Sequence, residues 1–516
     1  MSVSKGEKRI STFRVLPWVE VACVIALTGL AAASIPVRAQ GAMHARTNVS
    51  TARPIVMLSD IHFDPFHDPG KFKQLQAAPV SRWVSILNAP PTSGQAKQFA
   101  EMQSACNASG VDTDWALLQS SLAAARERQP SPLFVTLSGD LTVHQFSCRF
   151  HRMDPNGSDA ASIDFAVKTA SFVALELKHT FPQSPVYIAL GNNDSSCGDY
   201  RESPGSQYFH GMAHAVAAEA GSAAHGEILR EFPYQGDYDI PLPGPMQHTR
   251  LIVLQDIFQS SNYSACNGKP DPSAARQQIQ WLAGRLALAR AHGEHVWVMS
   301  HIPPGVFVYQ TIKAHRNVCG GQAPEMFYSS EGLTDTLQKY AGTVRLVIMG
   351  HTHDDELRLL KPAGAVLAGS GSHEVPVKLV PSITPLHGNY PAFITGKVNP
   401  QTATLMDYTV FIASNKTGIG TQWKTEYTWS KAYDLPDFSA ESVAKLVTRL
   451  QDDKHGSSAA SRDYEQWFAA GEGKTMGTLL RLFWPSYVCS LGHMHASGYR
   501  QCLCGGTRTL ESSTGH

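Results

Sequence analysis

Five short segments of the chain bring carboxylate, amide and imidazole groups together at close spacing: Asp60-Ile61-His62, Gly139-Asp140, Gly191-Asn192-Asn193-Asp194, His301, and Gly350-His351-Thr352-His353. Imidazole nitrogen combined with carboxylate and amide oxygen suits zinc, manganese or iron, and no thiolate is present to favour a softer metal. Two divalent cations about 3.5–4 Å apart need a bridging carboxylate and several terminal ligands. Asp60, His62, Asp140, Asn192, His301, His351 and His353 meet that requirement as one bridging aspartate with six further groups. A lone Asp-x-His or His-x-His is an ordinary turn; the full set in this order points to a metal pair.

Such side chains converge only if the backbone delivers them to one edge. Short β-branched runs at Pro54–Ser59, Leu133–Ser138, Val186–Leu190, Arg250–Gln255, His295–Ser300 and Val344–Met349 read as buried strands. Each candidate segment follows one of them, as ligand groups do at the carboxyl ends of strands in an open α/β sheet. A one-residue gap in Asp60-x-His62 and His351-x-His353 turns both side chains to one side. Glycine before Asp140, Asn192 and His351 permits a tight turn and close backbone approach. Amphipathic stretches at Asp114–Gln129, Ile163–His179 and Pro272–Ala291 predict helices between the strands. The fold class expected is α/β, a layered β-sandwich flanked by helices. After Gly364 the pattern changes to strands at Ala365–Gly369, Ala392–Val398 and Thr402–Phe411. Helices follow at Ser439–Leu450 and Asp463–Ala470, with a small cysteine-bearing tail. The Gly/Ala/Ser stretches near Ala213–Gly226 and Ser457–Ser461 read as surface segments.

The 516 residues carry 43 acidic and 43 basic side chains, and this balance lacks the basic excess of a nucleic-acid binder. Lys5, Lys8, Arg9 and Arg14, the apolar run Val21 to Ala33, and Val37-Arg38-Ala39 resemble an export signal with a small-x-Ala cleavage site. The apolar run is shorter than the roughly 20 residues that span a bilayer. We therefore expect a cleaved signal at residues 1–39, a flexible leader at 40–52 and a secreted or periplasmic protein, with an uncleaved anchor as the alternative. Eight cysteines remain: Cys106, Cys148, Cys197, Cys266, Cys319, Cys489, Cys502 and Cys504. An even count in an exported chain implies disulfides whose pairing the sequence leaves open. Cys502-x-Cys504 lacks a second pair at zinc-ribbon spacing and reads as structural.

The ordered set of segments resembles the calcineurin-like metallophosphoesterases, over about Pro54 to Val398. Within that superfamily the chain is most similar to the acid sphingomyelinase-like phosphodiesterases. The resemblance is carried by Gly139-Asp140-Leu141-Thr142-Val143-His144, Ser300-His301-Ile302-Pro303-Pro304-Gly305, Gly350-His351-Thr352-His353-Asp354-Asp355-Glu356, and Val380-Pro381-Ser382-Ile383-Thr384-Pro385 with Asn389. It implies a catalytic domain at 53–412 and a helical C-terminal subdomain at 413–516. No saposin-like module is expected in the short stretch before Pro54.

By the same resemblance, Asp60, His62 and His353 hold one divalent metal, and Asn192, His301 and His351 hold the other. Asp140 bridges them, zinc is the expected metal with manganese or iron as alternatives, and metal-bound hydroxide attacks phosphorus in line. Most relatives carry histidine where this chain has Asn193, and an amide cannot supply a proton. His144 matches a second active-site histidine of the group and is nominated as general acid. Asn193 is nominated as an oxyanion donor. The Gly-Asn-Asn-Asp segment is also similar to that of vacuolar endopolyphosphatases. Polyphosphate or phosphomonoester hydrolysis is thus the alternative reading, and a non-catalytic metal-binding module a third. Asp194 is expected to orient a ligand or Asn193. His67, Asp64, Asp354, His373 and Tyr390 are weaker candidates.

Overall fold

The computed structural model describes residues 52–362, 374–471 and 475–505, all within one compact unit. The export signal, nearly all of the leader, the Ala365–Gly369 run and His373 lie outside the described residues. Among the described residues, twelve strands form two sheets. They are β1 (Arg53–Leu58), β2 (Val135–Ser138), β3 (Val186–Ala189), β4 (Tyr238–Pro241), β5 (Thr249–Val253), β6 (His295–Met299), β7 (Val344–Met349), β8 (Leu357–Leu360), β9 (Val375–Leu379), β10 (Ala392–Asn399), β11 (Thr404–Ala413) and β12 (Trp423–Thr428). One sheet runs β12-β11-β10-β1-β2-β3 and the other β4-β5-β6-β7-β9-β8. Within them β1-β2-β3 and β5-β6-β7 are parallel, so their carboxyl ends share a direction.

The sheets pack face to face. Tyr238 donates to Ile188 O at 3.0 Å, Ser138 Oγ to Met349 O at 3.2 Å, and the Trp297 indole to Ala403 O at 2.7 Å. Along β6 the side chains alternate, with Trp297 and Met299 in the inter-sheet core and Val296 and Val298 in a second cluster with Leu282 and Leu286. That two-sided burial is why this run is continuously apolar. The covering helices start where their caps dictate. Asp114, Ser158 and Asp271 accept from backbone N–H groups at the starts of Trp115–Arg128, Asp159–Thr180 and Pro272–Ala291.

One expectation is corrected. The small-residue stretch near Ala213–Gly226 lies in helices Gln207–Ala220 and Ser222–Gln235, with Ala213, Ala217, Ala220 and Ala224 buried. Small side chains there serve close packing: a Cβ on Gly211 would press on Val167 of the neighbouring helix. The second stretch lies at the surface as expected, with Ser457, Ser458 and Ala459 exposed and Ser458 capping helix Ala459–Trp467. In the first sheet β12 pairs with β11, and a helical run begins at Trp429.

All eight cysteines among the described residues are paired, as Cys106–Cys148, Cys197–Cys266, Cys319–Cys504 and Cys489–Cys502. This pairing fits an oxidising, non-cytosolic compartment, and the Cys502-x-Cys504 pair splits between two structural bridges. Among the described residues no helix is long and apolar enough to cross a membrane.

The strand-end loops interlock through absent side chains. A Cβ on Gly191 would collide with the Asp140 carboxylate, and one on Gly350 with Ser59 and Asp60. Gly191→Ala should therefore destabilise the protein by about 1–3 kcal/mol, the usual cost of overpacking. Urea denaturation beside the parent measures it, and an unchanged midpoint would show that these loops do not press on one another.

Candidate metal centre

The loops after β1, β2, β3, β6 and β7 meet at one edge, and five candidate ligands on them adopt left-handed backbone. The φ values are 49° at Asp60, 48° at His62, 53° at Asp140, 77° at His351 and 65° at His353. Non-glycine residues there cost about 1–3 kcal/mol each and persist only where surroundings over-determine them. Cross-loop bonds do so here: Asp60 N to Gly139 O at 3.0 Å, His62 N to Asp140 O at 2.9 Å, and Gly350 N to His301 O at 3.0 Å. The His351 amide also donates to both Asp60 oxygens at 3.1 Å.

Asp60, His62, Asp140 and His301 are almost wholly buried. His62 Nε2 lies 3.3 Å and His301 Nε2 3.2 Å from Asp140 Oδ2, and His353 Nε2 lies 3.4 Å from Asp60 Oδ1. Each of the first two rings is fixed from behind, His62 Nδ1 donating to Thr142 O at 3.0 Å and His301 Nδ1 to Ser138 O at 2.8 Å. A carbonyl can only accept, so Nδ1 carries the hydrogen and Nε2 faces the carboxylates, as for ligating histidines. His62 Nε2, His301 Nε2, His353 Nδ1 and Asn192 Oδ1 are buried without a hydrogen-bond partner. Orphaned polar atoms cost about 1–3 kcal/mol each. Two of them, His62 Nε2 and His301 Nε2, converge on Asp140 Oδ2, which fits a site for divalent cations.

The electrostatics agree. Burial works against charge on His62, but Asp140, with Asp60 and Asp112, raises it to about 9; Asp140, with Asp60 and Asp256, raises His301 to about 10 against burial. Burial and the neighbouring His301 lower His351 to about 3. Proton and metal thus compete for one set of atoms.

Asn192 donates through Nδ2 to Asp199 at 2.7 Å, which turns its Oδ1 inward. Asn193 spends its backbone N–H and its side-chain amide on Asp140, at 2.8 and 3.0 Å. Asp194 braces the loop after Asp140 by accepting from Leu141 N, Thr142 N and Gly191 N at 3.0–3.1 Å. His144 stacks on His62 with ring centroids 4.0 Å apart, and its Nδ1 lies 3.1 Å from Asp112. His67 instead packs on Phe99, and Asp64 pairs with Arg149 at 2.7 Å, so neither joins the cluster. Asp354 lines an adjacent cavity, whereas Tyr390 lies under the Lys416 cation outside that lining.

Sequence reasoning missed Asp112, Asp199, Tyr200, Asp256 and His387. Asp112 is buried and also accepts from Thr384 at 3.0 Å. Asp256 holds the turn at His301 by accepting from Ile302 N at 3.0 Å. His387 sits 4.5 Å from the His353 ring. Only His387, inside the quoted Val380–Asn389 region, carried a signal that could have found it. A cavity of about 340 Å³ opens beside His351, walled by Phe307, Phe327, His387, Phe468 and Tyr487.

Residues 53–355 match the calcineurin-like phosphoesterase family model, more than half of the chain. The chain belongs to the calcineurin-like phosphoesterases. It is a phosphoester hydrolase, and its fold implies two divalent metals. Among curated proteins it is similar to acid sphingomyelinase-like phosphodiesterase 3b of Mus musculus, 26% identical over 462 residues, covering 87% of this chain and 89% of that one. It is also similar to cyclic GMP-AMP phosphodiesterase SMPDL3A of Homo sapiens, 24% identical over 358 residues, 66% of this chain and 72% of that one. A third relative is sphingomyelin phosphodiesterase of Bos taurus, 27% identical over 290 residues, 52% of this chain and 40% of that one.

In this phosphoesterase Asp140→Asn should lower both metal content and kcat, the latter by about 100-fold or more, beyond the usual loss from an outer partner of a ligand. Elemental analysis and hydrolysis assays read the two effects. Full metal content with full activity would remove Asp140 from the centre.

Proposed function

We propose that the chain is an exported phosphodiesterase of the acid sphingomyelinase-like kind, with Asp60, His62 and His353 holding one zinc ion, Asn192, His301 and His351 the other, and Asp140 between them. The imidazole-rich set without thiolate supports zinc. The basic, apolar and small-x-Ala segments of residues 1–39 support export. Similarity to acid sphingomyelinase-like phosphodiesterase 3b over 87% of the chain supports the diester reading. A bound pair of divalent cations would lower the pKa of a coordinated water toward neutrality and neutralise charge on the non-bridging phosphoryl oxygens.

The chain's own residues supply the rest, and one observation carries this reading: the Asp112–His144 pair stacked against His62. Burial opposes charge on Asp112, but His144 beside it, with His62 and Arg149, holds its carboxyl well below the usual range. The Asp112 carboxylate on Nδ1 orients the ring and leaves Nε2 as its other polar atom. His144 Nε2 can then deliver a proton to the leaving oxygen. Asn193, with its backbone N–H and one side-chain N–H on Asp140, keeps that carboxylate in register and supplies no proton. Its second side-chain N–H is left to donate to an oxyanion. The aromatic-walled cavity beside His351 would receive the larger ester substituent.

Hydrolysis of bis-p-nitrophenyl phosphate, p-nitrophenyl phosphate and polyphosphate tests the substrate class. Activity confined to the monoester or to polyphosphate would overturn the diester reading and favour the alternatives. His144→Ala should slow diesters with poor alkoxide leaving groups by about 100- to 10,000-fold while leaving p-nitrophenolate release much less affected. Equal rates on every leaving group would remove the acid role.

A further inference from the structure

The loop Ser195–Ser206 is neither helix nor strand until its last residue, where Ser206 caps the next helix. It nevertheless reaches two candidate ligands at once. Asp199 Oδ1 accepts from Asn192 Nδ2 at 2.7 Å. The Tyr200 hydroxyl lies 3.1 Å from His351 Nε2, with the rings edge to face at 89°. Asn192 and His351 belong to the same proposed cation. Of the other three, His62 bonds to Thr142 and the Asp60 carboxylate to Ser59 and His351; among the described residues neither side chain bonds to this loop.

Both contacts select an atom. A carboxamide presents an oxygen that can ligate and a nitrogen that cannot. Asp199, an acceptor only, takes the nitrogen and leaves Asn192 Oδ1 buried and unpartnered. Tyr200 occupies one imidazole nitrogen of His351 and leaves Nδ1 for a cation. Tyr200 itself sits at φ 56° and returns to the same loop through its N–H to Asn192 O at 3.1 Å.

What holds an irregular loop in that shape lies behind it. The Cys197–Cys266 disulfide joins it to the Ser264–Cys266 segment. Ser264 N donates to Tyr200 O at 3.1 Å, Glu202 N to Ser264 O at 3.2 Å, and Arg201 Nη2 to Cys266 O at 3.0 Å. Glu202, fully buried, accepts from Ser196 N at 2.8 Å and Ser203 N at 2.7 Å. The loop is tied on both flanks of Asp199-Tyr200.

We propose that Asp199 and Tyr200 are positioning residues for one cation of the pair, and that the Cys197–Cys266 disulfide maintains them in place. This rests on the ligand set proposed above. Removing these groups should therefore empty one half of the centre and spare the other.

The test is zinc stoichiometry by elemental analysis, with affinity from competition against a chromophoric chelator, on the full mature chain. The parent should hold two ions and Asn192→Ala one. Asp199→Ala and the double variant Cys197→Ser/Cys266→Ser should weaken one ion by about 10- to 100-fold, the range for lost outer partners of a ligand. Tyr200→Phe should weaken the same ion. Asp199→Asn should keep both, because its amide oxygen still accepts from Asn192. Two ions of parental affinity in both Asp199→Ala and the double serine variant would overturn the inference, as would equal weakening of both ions in Asp199→Ala. If the double serine variant fails to fold, Asp199→Ala against Asp199→Asn decides alone. A parent with fewer than two ions, or Asn192→Ala that still binds two normally, would instead defeat the ligand set.

Discussion

Two carboxylates and several imidazoles face one another at 3.2–3.4 Å with almost no exposure to water. Unscreened charge in a protein interior is costly unless paired, and this constraint organises the surrounding loops. Asp140 is its focus. One oxygen takes the Asn193 N–H, and the other faces His62, His301 and the Asn193 side chain. Gly191 lacks a side chain because that carboxylate occupies the space. Asp194 gathers the N–H groups just after Asp140, so the turn cannot relax away from the imidazoles.

Holding five non-glycine residues in left-handed backbone adds strain to this burden. The restoring forces come from outside the loops. Parallel strands buried on both faces fix the starting point of each loop, and cross-loop hydrogen bonds such as His62 N to Asp140 O set its end. Strain and rigidity here have one purpose: groups that must meet within a few tenths of an ångström are carried on elements that cannot drift.

The candidate ligands and the adjoining cavity come from different parts of the molecule. The candidate ligands all come from loops after parallel strands. The adjoining cavity is walled partly by Phe307 and Phe327 and partly by Phe468 and Tyr487, from the helical region beyond β12. The Asp355 N–H donates to Phe468 O at 2.7 Å, so the loop of His351 and His353 is also tied to that region. The candidate ligands and the adjoining cavity thus draw on different parts of the chain joined at one seam.

Much of this was legible in the residues themselves. A β-branched run ending in Gly-Asp, Gly-Asn or Gly-His signals both a strand and what its end presents, because strand burial and ligand chemistry each leave a local compositional mark. The strand runs before the candidate ligands, the three capped helices and the seven candidate ligands were readable on that basis. The small-residue helices at Gln207–Gln235 were not, since alanine and glycine mark close helix packing and solvent-facing turns alike. Asp112 and His144 stand 32 residues apart and Tyr200 and His351 151 apart, and no local pattern couples them. Cysteine pairing was open for the same reason: Cys319 meets Cys504 across 185 residues. The sequence determined which groups are available for chemistry, through residue type and periodicity. Only the tertiary structure decided which atoms of those groups face inward, because that choice is made by neighbours distant in the chain, as Asp199 makes it for Asn192.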